Sequence, residues 1–196
     1  MTAGIEKMPF RTASQMLTGW GRSTRSAAEV AAPATSREAE NIVAEASSQR
    51  RALLARGLGR SYGDAAQCAG GLVLDMTECD ALLEADFETG LVRAEAGLSL
   101  DALLRRSVPR GWFVPVTPGT RHVSLGGALA ADVHGKNHHR DGSFARGVKS
   151  ATLAAPAGRV EVAAGADSEA FWATAGGMGM TGVLLDVELQ LMRIET

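Results

Sequence analysis

The sequence predicts an α+β fold, because predicted strands often follow one another directly while helices separate only some of them. Apolar and alternating runs predict strands at residues 53–55, 72–75, 91–96, 112–114, 148–154, 159–163 and 183–193. Pro156-Ala157-Gly158 separates two of these runs and predicts a hairpin. A doubly wound parallel sheet would require strands and helices to alternate, and this chain does not show that order.

The predicted helices begin at residues that commonly cap them. Thr35-Ser36-Arg37-Glu38 has the pattern of a capping box and predicts a helix from Ser36 to about Arg50. Ser99 predicts a helix through about Ser107, and Asp167 predicts a short helix through Trp172. The small and apolar residues 125–131 predict a tightly packed helix.

The length suits one domain or two small ones. Residues 1–30 show no periodicity and predict a mobile arm with a local anchor around Trp20. We expect residues 31–196 to form one domain, with subdomains of about 31–115 and 119–196 on either side of a Pro-Gly turn.

The composition excludes several classes of protein. The net charge is −2 and the basic residues are scattered, which argues against a nucleic-acid partner. No apolar run is long enough to span a membrane, and the N-terminal residues contain no signal-peptide core. The two cysteines, Cys68 and Cys79, match no metal or redox motif, so we expect a protein of a reducing compartment, the cytoplasm.

Glycine is concentrated in four clusters. The first, Arg56-Gly-Leu-Gly-Arg-Ser-Tyr-Gly-Asp64, follows a predicted strand and holds three glycines within seven positions. Glycine permits positive φ and close approach of a ligand, and successive exposed N–H groups can bind an anion. The other clusters lie at residues 118–120, 124–127 and 176–182. Together they predict a phosphate or pyrophosphate cradle and a large cofactor that contacts the backbone at many points.

Two motifs leave alternatives open. Gly177-Met-Gly-Met-Thr-Gly182 has the letters of a dinucleotide-binding motif, but the predicted helix and strand around it are in the reverse of the required order. It is either a plain helix-to-strand turn or a backbone contact with a ligand. In the polar segment 134–143, predicted to be a loop, His134, His138 and His139 have no cysteine or carboxylate at a convincing spacing. We expect no metal there, and ligand contacts and a solvated loop both stay open.

These motifs together resemble one family of flavoproteins, the FAD-binding domain of the vanillyl-alcohol-oxidase and p-cresol-methylhydroxylase type. The strings that carry the resemblance are RGLGRSYGD at 56–64, PGT at 118–120, SLGG at 124–127, HGKNHH at 134–139 and FWAT with GGMGMTG at 171–182. Within the family they are similar to the oxidases that act on the 2′-hydroxyl of decaprenylphosphoryl-β-D-ribose. The resemblance covers about residues 17–193 and implies a two-subdomain FAD-binding module.

The resemblance also implies which residues contact FAD, with the first loop around the pyrophosphate and the later segments along the flavin. The implied cofactor-binding residues are Ala55, Arg56, Gly57, Leu58, Gly59, Arg60, Ser61, Tyr62, Gly63, Asp64, Ala65, Gly119, Ser124, Leu125, Gly126, Gly127, Ala131, Asp132, Val133, His134, Gly182 and Leu184. Many relatives have a histidine joined to the flavin where this chain has Arg60, which implies non-covalent FAD. Ala131 stands where the nearest relatives tend to have cysteine.

The implied activity is FAD-dependent oxidation of a CH–OH group. His134 and Lys136 match catalytic residues on the substrate side, where Lys136 would hold the substrate phosphate or polarise the reacting oxygen. The implied substrate is a polyprenyl-phosphoryl-β-D-ribose, oxidised at its 2′-hydroxyl on the way to the arabinan of a cell wall. An epimerase or reductase partner would then act on the keto product.

Three alternatives stay open for function and location. A sugar-lactone or alditol oxidase on the same fold would have the same FAD-binding motifs. Family members run to more than twice this length and have a substrate domain after the last strand, so a flavin-binding fragment without turnover is the second alternative. A lipid-linked substrate would also suit a peripheral position at the membrane or at its periplasmic face.

Overall fold

The computed structural model describes residues 10–165 and 168–195, and its strands form two main sheets. The first sheet has the strand order β1-β2-β4-β3. Its strands are β1 (Ala13–Thr18), β2 (Arg25–Ala31), β3 (Leu53–Arg56) and β4 (Leu72–Asp75). β1 and β2 are antiparallel, whereas β2 and β3 both run parallel to β4. The first glycine loop follows β3 and therefore lies at the carboxyl edge of the parallel strands.

Helix α1 (Ser36–Ser48) connects β2 to β3 and begins at the predicted residue. The Thr35 hydroxyl accepts a hydrogen bond from the N–H of Glu38, and the Glu38 carboxylate accepts one from the N–H of Ala34. These bonds satisfy backbone donors that a helix start otherwise leaves unpaired. The helix lies between the two sheets, and its buried side chains share a core with residues of both, including Leu72, Leu74, Ala154, Val183 and Leu185.

The prediction of a mobile arm is wrong for residues 13–30, most of which belong to the first sheet. They contribute to a small core formed by Leu17, Ala28, Val30 and Val73. The alternation in β2 is carried by alanine and valine among polar residues, so its hydrophobic contrast along the sequence is weak. Residues 1–9 of the predicted arm lie outside the described residues.

The second sheet is antiparallel and has the order β5-β6-β10-β8-β9. Its strands are β5 (Leu82–Asp86), β6 (Leu91–Glu95), β8 (Val148–Ala155), β9 (Gly158–Ala163) and β10 (Val183–Gln190). The β8–β9 hairpin is confirmed. β5 was not predicted; it is an edge strand, and all of its residues after Leu82 are exposed. A separate ribbon pairs β7 (Trp112–Phe113) with β11 (Met192–Arg193).

The other helices are short. They are α2 (Leu100–Ser107), α3 (Leu125–Ala130), α4 (His138–Asp141) and α5 (Glu169–Thr174). The predictions of α2 and α3 are confirmed, and Ser99 and Ser124 cap them. α4 is a single turn within the segment predicted to be a loop, and Asp167, the predicted cap of α5, lies outside the described residues. No helix within the described ranges is long and apolar enough to cross a membrane.

The two sheets divide earlier in the chain than the predicted turn at residues 115–119. β5, β6 and α2 precede that turn, yet they belong to the second sheet and its core. The division falls between β4 and β5, around residues 76–81. The strand register explains why the sequence predicts the wrong boundary: Glu95 of β6 pairs with Asp186 of β10, far along the chain. A pairing across that distance leaves no local signal in the sequence.

Candidate functional site

The first glycine loop, residues 57–66, presents a run of free backbone donors. No backbone N–H group from Gly57 to Ala66 forms a hydrogen bond to another described residue. Backbone donors in a folded protein are normally paired with the chain, with water or with a ligand. Successive free N–H groups in one loop attract an anion. The loop therefore has the donors that a pyrophosphate requires.

Arg56 holds this loop from the inside and is not available to a ligand. Its guanidinium donates to the carbonyl oxygens of Ala66 (2.9 Å) and Thr18 (2.8 Å). Burial lowers the pKa of Arg56, while the Asp75 carboxylate acts in the opposite direction. Gly59 has a φ of 64°, and a Cβ there would overlap the Arg56 guanidinium. The protein's own packing thus requires glycine at position 59.

The turn between β1 and β2 holds the loop from the outside. The N–H groups of Trp20 and Gly21 donate to the carbonyl oxygens of Ser61 (2.7 Å) and Tyr62 (3.1 Å). These two bonds orient the carbonyl groups of the loop toward the turn. As a result, the carbonyl oxygens of Ser61 and Tyr62 are withdrawn from an anion bound at the N–H groups.

Glycine and tryptophan in this turn were not predicted as site residues. A Cβ on Gly19 would overlap the carbonyl oxygen of Gly63, so the turn and the loop are in direct contact. The Arg60 guanidinium lies 4.7 Å from the centre of the Trp20 ring, within the range of a cation–π interaction. The anchor predicted around Trp20 is therefore present, and what it anchors is the glycine loop. In the sequence, the Gly19-Trp20-Gly21 string is the feature that could have indicated this contact.

Gly63 and Gly119 are glycines that the protein's own atoms do not explain. Neither has a positive φ, and a Cβ at either position would have no heavy atom within 4 Å. A glycine with space around it and an ordinary backbone suits a surface that another molecule approaches closely. Both positions lie in clusters predicted to contact the cofactor. This open surface and the free N–H groups fit a dinucleotide such as FAD.

The third glycine cluster starts α3 and contacts the first loop. Ser124 accepts a hydrogen bond from the N–H of Gly127 (3.2 Å), and its hydroxyl would overlap a Cβ on Gly57. Gly57 is thus needed for the contact between the loop and the helix. Leu125 is fully buried in the core and its N–H donates to the carbonyl oxygen of Leu98 (2.9 Å), so the structure gives it a packing role and its contact with a cofactor stays a prediction. Gly126 is buried as well.

The last glycine cluster lies against the C-terminal end of α3. The N–H groups of Gly176 and Met178 donate to the carbonyl oxygens of Leu129 (3.1 Å) and Ala130 (2.8 Å). Asp132 follows α3 with a φ of 40°, and its carboxylate accepts a hydrogen bond from the backbone N–H of Ala145 (3.0 Å). Its side chain therefore stabilises the backbone around the predicted residues Ala131 to Val133.

Gly182 and Leu184 lie at the start of β10. A Cβ on Gly182 would lie 2.8 Å from the carbonyl oxygen of Ala154, so a close approach to β8 explains this glycine. The Leu184 side chain is 6% exposed and belongs to the core of the second sheet. The structure thus gives both residues a packing role, and their contact with a cofactor stays a prediction.

A pocket opens beside Gly119 and brings together the residues predicted to face the substrate. It is lined by Thr117, Pro118, Gly119, His134, Gly135, Lys136, Asn137 and His138. Asn137 fixes one wall, because its amide donates to the carbonyl oxygen of Pro115 (2.9 Å) and to the Asp141 carboxylate (2.7 Å). A hydrogen bond from Arg140, with a further one from Asn137, lowers the pKa of Asp141. Thr117 was not predicted, although it directly precedes the Pro118-Gly119 string.

The three neighbouring histidines form edge-to-face ring contacts. The ring centres of His134 and His138 are 5.6 Å apart, and those of His138 and His139 are 6.0 Å apart. Within the described residues, no group of three or more histidines, cysteines and carboxylates is arranged to hold a metal ion. Of the two interpretations left open for this segment, the pocket favours ligand contacts for His134 and His138.

Comparison with known protein families identifies the family to which the chain belongs. The family described as FAD binding domain matches residues 27–164. The chain belongs to this family of FAD-binding domains. The matched residues include the first loop, Gly119, α3 and the pocket, and they confirm the predicted family and FAD as its cofactor.

Two curated relatives match nearly the whole chain. The decaprenylphosphoryl-beta-D-ribose oxidase of Mycolicibacterium smegmatis is 44% identical over 190 residues, which are 95% of this chain and 41% of that protein. The L-gulono-1,4-lactone dehydrogenase of Mycobacterium tuberculosis is 28% identical over 184 residues, 93% of this chain and 42% of that protein. The chain therefore spans about two fifths of the length of these relatives.

Solved structures agree on the fold. Two crystal forms of alkyldihydroxyacetonephosphate synthase superpose with TM-scores of 0.78 and 0.76, and both cover 88% of this chain and 33% of that enzyme. The sequence identity is 18% and 17%, so the likeness concerns the fold alone. It confirms the predicted α+β fold of the vanillyl-alcohol-oxidase and p-cresol-methylhydroxylase type.

Proposed function

We propose that this chain is the FAD-binding part of an oxidoreductase that oxidises the 2′-hydroxyl of a polyprenyl-phosphoryl-β-D-ribose. The observation that carries the proposal is the 44% identity to a decaprenylphosphoryl-beta-D-ribose oxidase across 95% of the chain. The product would be a keto sugar on the way to the arabinan of a cell wall. An epimerase or reductase partner would then reduce it.

The chain's own residues would bind FAD without a covalent bond. The free N–H groups of residues 57–66 would hold the pyrophosphate, with Gly63 and Gly119 allowing close approach. Arg60 stands where a linking histidine occurs in many relatives, and its guanidinium is engaged with Leu58 and Trp20. When bound, FAD supplies the acceptor for the hydride that leaves the substrate carbon.

His134 and Lys136 would face the substrate from the pocket beside Gly119. Both side chains are exposed to the pocket region, and the Asn137 bonds and the close contact of Gly135 with Thr117 keep their segment in place. Their work is to position the substrate, with Lys136 either holding the substrate phosphate or stabilising charge on the reacting oxygen. In the holoprotein, His134→Ala and Lys136→Ala should lower turnover more than they lower flavin content. Loss of FAD with unchanged activity per bound flavin would contradict these roles.

A lactone or alditol oxidase is the second candidate for the substrate class. The 28% identity to an L-gulono-1,4-lactone dehydrogenase supports it less strongly than the 44% identity supports the phosphoryl-ribose substrate. Flavin binding without turnover is the third candidate, and the chain spans about two fifths of the length of either relative. We also propose a cytoplasmic protein that meets its lipid-linked substrate at the membrane surface.

The test begins with purified protein saturated with FAD. Trichloroacetic acid should release all flavin into the supernatant, and flavin retained in the pellet would contradict non-covalent binding. Anaerobic stopped-flow mixing with decaprenylphosphoryl ribose should then bleach the flavin absorbance. Bleaching by L-gulono-1,4-lactone alone would favour the second candidate, and stable FAD binding with no bleaching by either compound would favour the third.

A further inference from the structure

The pocket beside Gly119 is positively charged and has no acidic lining residue. Lys136 is exposed there and forms no ion pair or hydrogen bond with any described residue. A free ammonium group in a concave site attracts an anion.

The two carboxylates of the segment around the pocket, Asp132 and Asp141, form no ion pair with Lys136. Asp132 accepts a hydrogen bond from the N–H of Ala145 (3.0 Å). Asp141 is held by Asn137 (2.7 Å) and by two bonds from Arg140 (3.0 Å each). Both carboxylates are therefore engaged in holding the segments around the pocket, and the ammonium of Lys136 stays available.

The imidazole of His138 is a second side chain of the pocket that can bind an anion, and a hydrogen bond fixes its orientation. Its Nδ1 lies 3.1 Å from the carbonyl oxygen of Gly135. A carbonyl oxygen only accepts hydrogen bonds, so Nδ1 carries the proton and Nε2 is the nitrogen left for a ligand. In the imidazolium form Nε2–H donates, which gives the pocket a charged donor besides Lys136.

We propose that this pocket binds the phosphate of the substrate through Lys136 and the His138 imidazolium. The inference rests on the proposed function, and it decides between the two roles that the sequence left open for Lys136. The phosphate of a polyprenyl-phosphoryl sugar is a diester with a single negative charge. The pyrophosphate of FAD has its own donors in residues 57–66, which leaves the pocket for a second anion.

The experiment follows the ring signals of the four histidines by NMR during titration with inorganic phosphate and with dimethyl phosphate at constant ionic strength. The His138 signal should shift saturably with both anions and stay unchanged with D-ribose. His122 is outside the pocket and serves as the internal reference.

Two lysine variants with the same change of charge test the assignment. Lys136→Met should weaken phosphate binding at least tenfold, and Lys149→Met, an exposed lysine on β8 outside the pocket, should change it less than twofold. His138→Gln should also weaken phosphate binding, because it removes one of the two groups proposed to hold the anion. The thermal midpoint of each variant shows whether it is folded.

Three results would overturn the proposal. The first is equal weakening in the two lysine variants, and the second is a shift of His122 as large as that of His138. The third is loss of phosphate binding when FAD is saturating, which would assign the pocket to the cofactor. If the protein binds phosphate in the pocket but does not bind FAD, the proposed function fails, and the assignment to its substrate fails with it.

Discussion

Gly63→Val is the substitution that tests the FAD-binding loop most directly. The structure has no heavy atom within 4 Å of a Cβ at this position, and its φ is not positive. The folded chain should therefore tolerate valine, with a change in the free energy of unfolding within about 0.5 kcal/mol. The added isopropyl group would occupy space beside the free N–H groups, where we propose that the pyrophosphate binds.

The expected loss of affinity follows from those donors. A hydrogen bond to a charged group contributes about 1.5–3 kcal/mol. If valine at position 63 prevents two of the loop N–H groups from reaching the pyrophosphate, FAD binding weakens by about 3–6 kcal/mol, which is about a hundredfold or more in Kd. The measurement is a titration of FAD by the quenching of its fluorescence, with thermal midpoints recorded in parallel.

Gly165→Val is the matched control. Gly165 is exposed, has no positive φ and would have no heavy atom within 4 Å of an added Cβ, but it lies in the connection after β9, outside the site. The control should bind FAD as the unaltered protein does. Equal Kd values for the two variants, with both folded, would show that the first loop does not hold the pyrophosphate. Gly59→Val is a poorer test, because its positive φ and its contact with Arg56 would disturb the loop itself.

Two further predictions concern stability. Asp186→Ala should lower the free energy of unfolding by about 1–3 kcal/mol in denaturant titration, since it removes the buried acceptor of Arg93 and Thr152; Asp186→Asn should lose less, and equal stability of all three proteins would contradict the role. The hydrogen bond from Arg105 lowers the pKa of Asp101. The ionised Asp101 carboxylate therefore stabilises the folded protein above about pH 4, and this stabilisation is lost as the pH falls through the lowered pKa. Asp101→Asn should therefore flatten the dependence of the thermal midpoint on pH below about pH 4, and an unchanged slope would refute this.

Local features of this chain could be predicted from the sequence, whereas the pairing of distant segments could not. The Thr35–Glu38 cap and the β8–β9 hairpin depend on residues next to one another, and both are present. The membership of β6 in the second sheet depends on β10, and the order of β1 and β2 beside β4 depends on a parallel pairing across α1. No periodicity within one segment contains that information.

The glycines show the same limit inside the candidate site. The sequence places Gly57, Gly59 and Gly63 in one loop and predicts one role for them, contact with a cofactor. The structure separates them, because Gly57 makes room for the Ser124 hydroxyl and Gly59 makes room for Arg56, while Gly63 has open space. The first two shape the loop, and only the third has space beside it that a ligand could fill. A substitution at Gly57 or Gly59 therefore reports on the fold of the loop, and the proposed contact with the cofactor is tested at Gly63 and at Gly119, the other open glycine of the site.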